Sequence, residues 1–303
     1  MLDQLNNVFK PLRITIPFVL DIIFISDPDR IKQIENSGDI DRLHYYETQS
    51  LPWWIQLYFP STRFHDRQRD LWFTPFESSS NPTYLPRLTY LEEQMATGYS
   101  QDDVRRIARL LRTKASDESL AYEMVQIVNK RFFESNIPLE ITTAAQSTLQ
   151  KITEAFLPWN YFQGVKSQQK IMDFCKHNLA SDIHPLDVGH NIGEIVKLTT
   201  GSLKILRENL NRSVEDIFTK HAPTTEVPRI AIKASTFNGM LSYPTIAGQT
   251  ILVLNIAKAA AETKDLRFTF GTGTSERSCV FKEFFVNFMK DVQYELQREQ
   301  VNS

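Results

Sequence analysis

Cys279 ends a loop whose residue types suit thiolate chemistry. Two glycines, Gly271 and Gly273, follow Phe270, and Arg277 stands two residues before the cysteine. Glycine lets the backbone approach a ligand closely and turn its N–H groups towards the sulfur. A helix predicted to begin directly after Cys279 adds the positive end of its dipole, which favours the thiolate. These residues predict that Cys279 binds a metal ion as a thiolate.

Haem iron is the metal that this arrangement predicts. Cysteine thiolate is one of the axial ligands that haem proteins use, and Arg277 is placed to pair with a haem propionate. The predicted site therefore has Cys279 as the metal ligand, and the four other loop residues named above bind the cofactor. The alternative is a free cysteine that caps a core helix. Cys175 has no comparable surroundings, and we predict that it is a core residue.

Composition and charge limit the class of partner. The 303 residues are 42% hydrophobic and 23% charged, which is the profile of a globular protein, and the formal net charge of −2 predicts no nucleic-acid partner. Residues 14–25 are apolar but too short to span a bilayer, so no transmembrane segment is predicted. Two cysteines give no disulfide framework, and we expect a reduced, cytoplasmic protein.

The spacing of apolar residues predicts a mainly α fold with a small β part. Residues 22–25 predict a buried strand, and Ser26-Asp27-Pro28 predicts the start of a helix that continues to residue 36. Further helices are predicted after the capping residues 100–103 and over residues 117–133, 142–156, 168–179, 193–210, 213–220 and 280–298. Short strands broken by turns are predicted over residues 227–233 and 243–254, and the proline- and aromatic-rich residues 51–90 predict irregular structure.

These elements predict one domain over residues 1–303. Residues 1–40 supply an N-terminal strand and helix, residues 41–222 a helical region, and residues 223–303 a β hairpin, the cysteine loop and a C-terminal helix. Helices that precede most of the strands favour a mostly α architecture.

The cysteine loop resembles that of the cytochrome P450 family, which runs Phe-Gly-x-Gly-x-(Arg or His)-x-Cys-x-Gly. The match needs two extra residues between Gly273 and Arg277. Val227-Pro228-Arg229 resembles the family segment after the K helix, whose arginine contacts a haem propionate, and residues 243–253 resemble the family's late hairpin. The resemblance implies a P450-like fold truncated in the middle, haem b as the cofactor, and Arg229 as a second cofactor-binding arginine.

The sequence also departs from the family pattern. The Glu-x-x-Arg of the K helix would fall near Asp216 and Thr219, and Phe281 stands where the family has the glycine after its cysteine. Thr199-Thr200-Gly201 lies on a predicted helix but does not reproduce the family's Ala-Gly-x-x-Thr. The departures indicate an atypical member, because hydroxylation by dioxygen needs an acid and an alcohol to deliver protons.

One branch of the family, the allene oxide synthases and hydroperoxide lyases, rearranges fatty-acid hydroperoxides and uses neither dioxygen nor a reductant. Its members carry insertions in the cysteine loop and a Lys-(Asp/Glu)-Phe-Val sequence after it. Residues 279–286 of this chain, Cys-Val-Phe-Lys-Glu-Phe-Phe-Val, are similar. Lys282 and Glu283 are equally explained as solubilising residues in the first turn of a surface helix.

Two functions stay open on the sequence. The first is a haem-thiolate enzyme that acts on a lipophilic small molecule, either by oxidation with a redox partner or by rearrangement of a hydroperoxide-like substrate. The second is a non-catalytic P450-like scaffold that binds a ligand or a partner protein. His184, His190 and Glu194 match no standard zinc spacing and are better explained as loop residues and a helix cap.

Overall fold

The computed structural model describes fifteen stretches of the chain. They are residues 12–16, 20–42, 64–66, 71–73, 89, 93, 98–133, 136–145, 158–179, 192, 195, 199–224, 226–270, 279 and 281–301. The chain divides into two compact units. The sheet unit contains the described residues of Met1–Trp53 and Phe218–Cys279, and the helical unit contains those of Trp54–Pro75, Pro82–Ile217 and Val280–Ser303. The single domain over residues 1–303 stays a prediction.

The described strands form one five-stranded sheet and one two-stranded sheet. They are β1 (Leu12–Ile16), β2 (Leu20–Ile25), β3 (Ile40–Arg42), β4 (Phe64–Asp66), β5 (Leu71–Phe73), β6 (Val227–Ala231) and β7 (Thr250–Leu254). The larger sheet has the order β1-β2-β7-β6-β3, and β4 pairs with β5. Within the larger sheet β2 and β7 run parallel and the other neighbours are antiparallel.

Helices make up most of the described chain. They are α1 (Pro28–Glu35), α2 (Gln101–Arg112), α3 (Asp117–Phe133), α4 (Pro158–Asn178), a π-helical turn (Thr199–Leu203), α5 (Lys204–Glu208), α6 (Val214–Lys220), α7 (Ile256–Thr263), α8 (Leu266–Thr269) and α9 (Lys282–Val301). Residues 139–145 are also helical. This architecture confirms the predicted mainly α fold with a small β part.

The core of the sheet unit lies between one face of the larger sheet and α1 with α7. Alternate residues of β2 and β7, such as Ile23 and Leu252, pack against Ile31 of α1 and Ala259 of α7, and all four are fully buried. The side chain of Asp27 accepts a hydrogen bond from Arg30 N at 2.9 Å and caps α1, whose first residue is a proline. The predicted strand and capped helix in this segment are therefore confirmed.

The helical unit is built on amphipathic helices with well-formed ends. Ser100 and Asp103 form a capping box at the start of α2. Lys204 of α5 donates to Asp117 of α3 at 2.6 Å. Tyr99 donates to Asp291 of α9 at 2.6 Å, and burial together with this carboxylate raises the pKa of Tyr99. The prediction of a helix over residues 117–133 is confirmed.

Residues 243–254, predicted to form short strands broken by turns, contain one strand. β7 begins at Thr250, whereas residues 247–249 form a turn and residues 243–246 form no strand. Pro244 cannot donate a ladder hydrogen bond. Thr245 instead uses its hydroxyl locally, accepting from Ser235 N and donating to Lys233 O, both at 3.0 Å. The helices α7 and α8, which lie between β7 and the cysteine loop, were not predicted.

None of the helices described in the structure is both long enough and apolar enough to cross a membrane.

Candidate haem-thiolate site

The two ends of the cysteine loop are joined by a main-chain hydrogen bond. Cys279 N donates to Phe270 O at 2.7 Å. Gly271, Gly273 and Arg277, the other predicted site residues of the loop, lie outside the described residues. The structure thus brings the main chains of Phe270 and Cys279 together, and the role of the loop as a haem site stays a prediction.

Phe270 anchors the start of the loop in the sheet unit. Its side chain is 5% exposed and packs edge-to-face on Phe218 of α6, with ring centroids 5.0 Å apart. The preceding residue, Thr269, donates its hydroxyl to Phe218 O at 3.1 Å, and this hydrogen bond is buried. One residue of α6 therefore holds both the side chain of Phe270 and the residue before it. Sequence reasoning missed Phe218, whose only signal was its place on the apolar face of a short helix.

The two cysteines differ in their availability to a ligand. Neither forms a disulfide bond; Cys279 is half-buried, whereas Cys175 on α4 is 4% exposed. Burial raises the pKa of Cys175 to about 12, so this thiol stays protonated at neutral pH. The prediction that Cys175 is a core residue is confirmed. Of the two cysteines, Cys279 is the less buried.

The helix α9 begins at Lys282, three residues after Cys279. Phe285 N donates to Phe281 O at 2.9 Å, and the Phe281 ring lies 5.9 Å from that of Phe285. Phe281 is 3% exposed. The phenylalanine that replaces the family's glycine is therefore a packing residue at the start of this helix.

Arg229 lies on β6 within the core of the sheet unit. Its Nε atom is 2.7 Å from Glu35 Oε1, and its Nη1 donates to Pro228 O at 3.0 Å. Its role as a propionate partner stays a prediction. Sequence reasoning missed Glu35, although a signal existed, because Glu35 follows Ile31 at helical spacing and so falls on the apolar face of α1.

Two helical segments bear on the departures from the family pattern. On α6, Asp216 forms an ion pair with Arg212 at 3.7 Å and Thr219 is 3% exposed, so these positions supply no Glu-x-x-Arg.

Residues 199–201, predicted to be helical, begin a π-helical turn. Such turns are rare and occur frequently at functional sites. On this turn Ser202 is 1% exposed, and its hydroxyl has no hydrogen-bond partner within the described part of the chain.

The sequence contains one other group of possible metal ligands. His184, His190 and Glu194 lie outside the described residues. Among the residues that the structure describes, no group of three or more His, Cys, Asp or Glu side chains is placed to hold a metal ion.

The fold resembles that of solved cytochromes P450. A variant of cytochrome P450 OleT in complex with arachidonic acid superimposes with a TM-score of 0.62 at 11% identity, over 96% of this chain and 84% of that one. The tirandamycin C-bound P450 monooxygenase TamI gives a TM-score of 0.60 at 11% identity, over 96% and 86%. A six-coordinated cytochrome P450 from Thermus thermophilus gives 0.62 at 10% identity, over 94% and 86%.

Comparison of the sequence itself found no match to any family model or to any curated protein. The solved structures are similar along nearly the whole chain, which confirms the fold predicted from the cysteine loop and its flanking segments. The chain has the cytochrome P450 fold.

Proposed function

We propose that the protein is a haem-thiolate enzyme of the P450 kind that acts on a lipophilic small molecule. The observation that carries the proposal is the closed cysteine loop, in which Cys279 N bonds to Phe270 O at 2.7 Å and the half-buried thiol stands at the loop end. The P450 fold supports the proposal, because the cysteine loop follows β7 along the chain, in the order that the family resemblance predicts.

The residues present fit a haem. Thiolate sulfur is an established donor to haem iron, and of the two cysteines Cys279 has the accessible position. Cys279 would hold the iron through its sulfur, and Arg277 would bind a propionate. A bound haem b would supply an iron centre able to cleave an O–O bond. The protein's own part is to keep the sulfur unprotonated and fixed, which the bond to Phe270 O supports by immobilising the main chain of Cys279.

A lipophilic substrate is supported by one neighbour and by composition. The similar OleT structure is described as a complex with arachidonic acid. The chain carries 20 phenylalanines, and apolar, aromatic linings are what pockets for such molecules use. The predicted reduced, cytoplasmic location belongs to this proposal, and the lack of a disulfide between Cys175 and Cys279 agrees with it.

Between oxidation with a redox partner and rearrangement of a hydroperoxide-like substrate, we favour the second. The Lys-Glu-Phe-Phe-Val sequence at the start of α9 supports it, as does Thr199-Thr200-Gly201, which does not reproduce the family's Ala-Gly-x-x-Thr. A substrate that already carries the O–O bond needs no reductant and no acid–alcohol pair to build one.

An absorption spectrum of the purified, haem-loaded protein tests the ligand. We expect a Soret band, and a red-shifted ferrous–CO band that reports thiolate ligation. Both features are expected to disappear in Cys279→Ser and to persist in Cys175→Ala, the matched control. A thiolate spectrum in Cys279→Ser, or no haem uptake by the unmodified chain, would contradict the proposal.

Consumption of a fatty-acid hydroperoxide without any reductant tests the reaction. The favoured reading predicts turnover by the unmodified chain and none by Cys279→Ser. If the haem-loaded protein consumes no hydroperoxide but oxidises a fatty acid when electrons are supplied, oxidation with a redox partner is the reaction instead.

A non-catalytic scaffold is the second candidate. Two residues of α6 favour this candidate. Buried Thr219 and ion-paired Asp216 stand where active members of the family carry the Glu-x-x-Arg motif. This candidate predicts a protein that binds haem or a fatty acid and turns over neither hydroperoxide nor fatty acid with reductant.

A further inference from the structure

A buried ion pair joins α1 to β6 in the sheet unit. Arg229 Nε lies 2.7 Å from Glu35 Oε1, and Nη2 donates to Oε2 at 3.4 Å. The Nε hydrogen is not aligned on Oε1, so this shorter contact is an attraction between charges and not an aligned hydrogen bond. The Glu35 side chain is fully buried and that of Arg229 is 8% exposed. Water therefore screens the pair very little.

The pair lies on the face of the sheet that carries the apolar core. Arg229 stands opposite Leu252 of β7 in the antiparallel register, and Leu252 is fully buried. Glu35 follows Ile31 and Ile34, which are fully buried on the same helix. In such surroundings either charge alone would be strongly destabilising, whereas the pair is tolerated.

We propose that Glu35 is the permanent counter-charge of Arg229, and that haem binds without using this arginine as a propionate partner. The second half of the proposal rests on the proposed haem function. Glu35 thereby takes the place beside Arg229 that the family resemblance gave to a haem propionate. Arg277 is left as the arginine that binds a propionate.

The electrostatics of the pair argue against a shared arginine. A propionate that joined Arg229 would place two carboxylates against one guanidinium in a site nearly closed to water. Like charges that share such a site cannot both stay ionised without cost. A propionate that displaced Glu35 would instead leave a fully buried carboxylate without its counter-charge, which is also costly. With Glu35 in place, Arg229 already has a buried carboxylate as its counter-charge before haem binds.

Urea unfolding of the haem-free full chain tests the first half. We expect Glu35→Gln and Arg229→Met each to lower the urea midpoint clearly. The double variant Glu35→Gln/Arg229→Met should recover at least half of the summed loss, since no unpaired charge remains. A double variant that loses the sum of the two single losses would overturn the pairing.

Haem titration followed by the Soret band tests the second half. The double variant should bind haem within about twofold of the unmodified chain, whereas Arg277→Gln should weaken binding by about tenfold, the loss of one charge-assisted hydrogen bond. A loss in the double variant as large as that in Arg277→Gln would overturn the proposal. So would a urea midpoint of Glu35→Gln that added haem restores more than that of the unmodified chain, because a propionate would then have replaced Glu35.

The two arms separate the possible failures. If the unmodified chain takes up no haem, the proposed function falls together with the second half of this proposal. The urea experiment on the haem-free protein still decides the ion pair by itself.

Discussion

The two cysteines of this chain lie in opposite environments. Cys175 follows buried Ile171 and Met172 on α4 and is itself 4% exposed, and burial raises its pKa to about 12. Cys279 is half-buried at the end of a loop, and its main chain is bonded to Phe270 O at 2.7 Å. The Cys175 thiol lies on a buried helix face, whereas Cys279 lies at the end of a loop and its main chain is hydrogen-bonded to Phe270.

The difference shows that burial and main-chain restraint decide whether a cysteine side chain can react or bind a ligand. A helix face excludes water and so favours the protonated thiol, which is inert towards metals and electrophiles. A loop end held by its main chain leaves the side chain accessible while fixing the position of its Cα atom. We therefore expect that substitution of the residue that anchors the Cys279 loop lowers stability. We also expect the two thiols to react at clearly different rates.

The largest expected effect comes from the anchor Phe270. Phe270→Ala removes a ring that is 5% exposed and packs on Phe218 with centroids 5.0 Å apart. Such a cavity lowers the free energy of unfolding by about 3–5 kcal/mol. Urea unfolding followed by circular dichroism measures the loss. Tyr243→Ala is the control, because Tyr243 is 70% exposed in the same unit and its truncation should change stability by less than about 0.5 kcal/mol. Equal losses in the two variants would show that Phe270 is not an anchor.

The next effect is the difference in reactivity between the two thiols. In the folded, haem-free protein at pH 8, iodoacetamide should label Cys279 at least about a hundredfold faster than Cys175, since the thiolate is the reacting form. Because the pKa of Cys175 is raised to about 12, its thiolate fraction, and hence its labelling rate, should rise about tenfold for each pH unit until that pH is approached. Peptide mapping by mass spectrometry follows the two sites separately. Labelling of Cys175 at the rate of Cys279 in the folded chain would remove the distinction.

Much of this comparison could be predicted from the sequence, and the reasons are local. Gly271, Gly273 and Arg277 mark the Cys279 loop in the sequence, and the roles that the sequence assigns to them stay predictions. Cys175 follows Ile171 at helical spacing, which predicts a core position. The capped start of α1 could be predicted in the same way, since Asp27 and Pro28 act on the first turn of their own helix.

The parts that could not be predicted depend on contacts between distant residues. Phe218 holds Thr269 and Phe270 across some fifty positions of sequence, and no local pattern connects them. Glu35 and Arg229 are 194 positions apart. The glutamate on an apolar helix face indicated a buried partner but not which one. The positions of the strand and the turns within residues 243–254 could not be predicted either, because the hydroxyl of Thr245 bonds to the main chain of Lys233 and Ser235, which are distant in sequence.

The smallest effect tests the second contact that holds the loop. Thr269 donates its hydroxyl to Phe218 O in a buried hydrogen bond of 3.1 Å, so Thr269→Val leaves that carbonyl unsatisfied while nearly keeping the volume of the side chain. We expect the free energy of unfolding to fall by about 1–2 kcal/mol, less than for Phe270→Ala, because the ring contact with Phe218 remains. Thr263→Val is the matched control: Thr263 also donates to a main-chain carbonyl, Ala259 O, but it is exposed, and water can replace its bond. Its loss should stay below about 0.5 kcal/mol. The same urea unfolding experiment serves both variants, and a Thr269→Val loss no larger than the control would mean that Phe270 alone holds the start of the Cys279 loop.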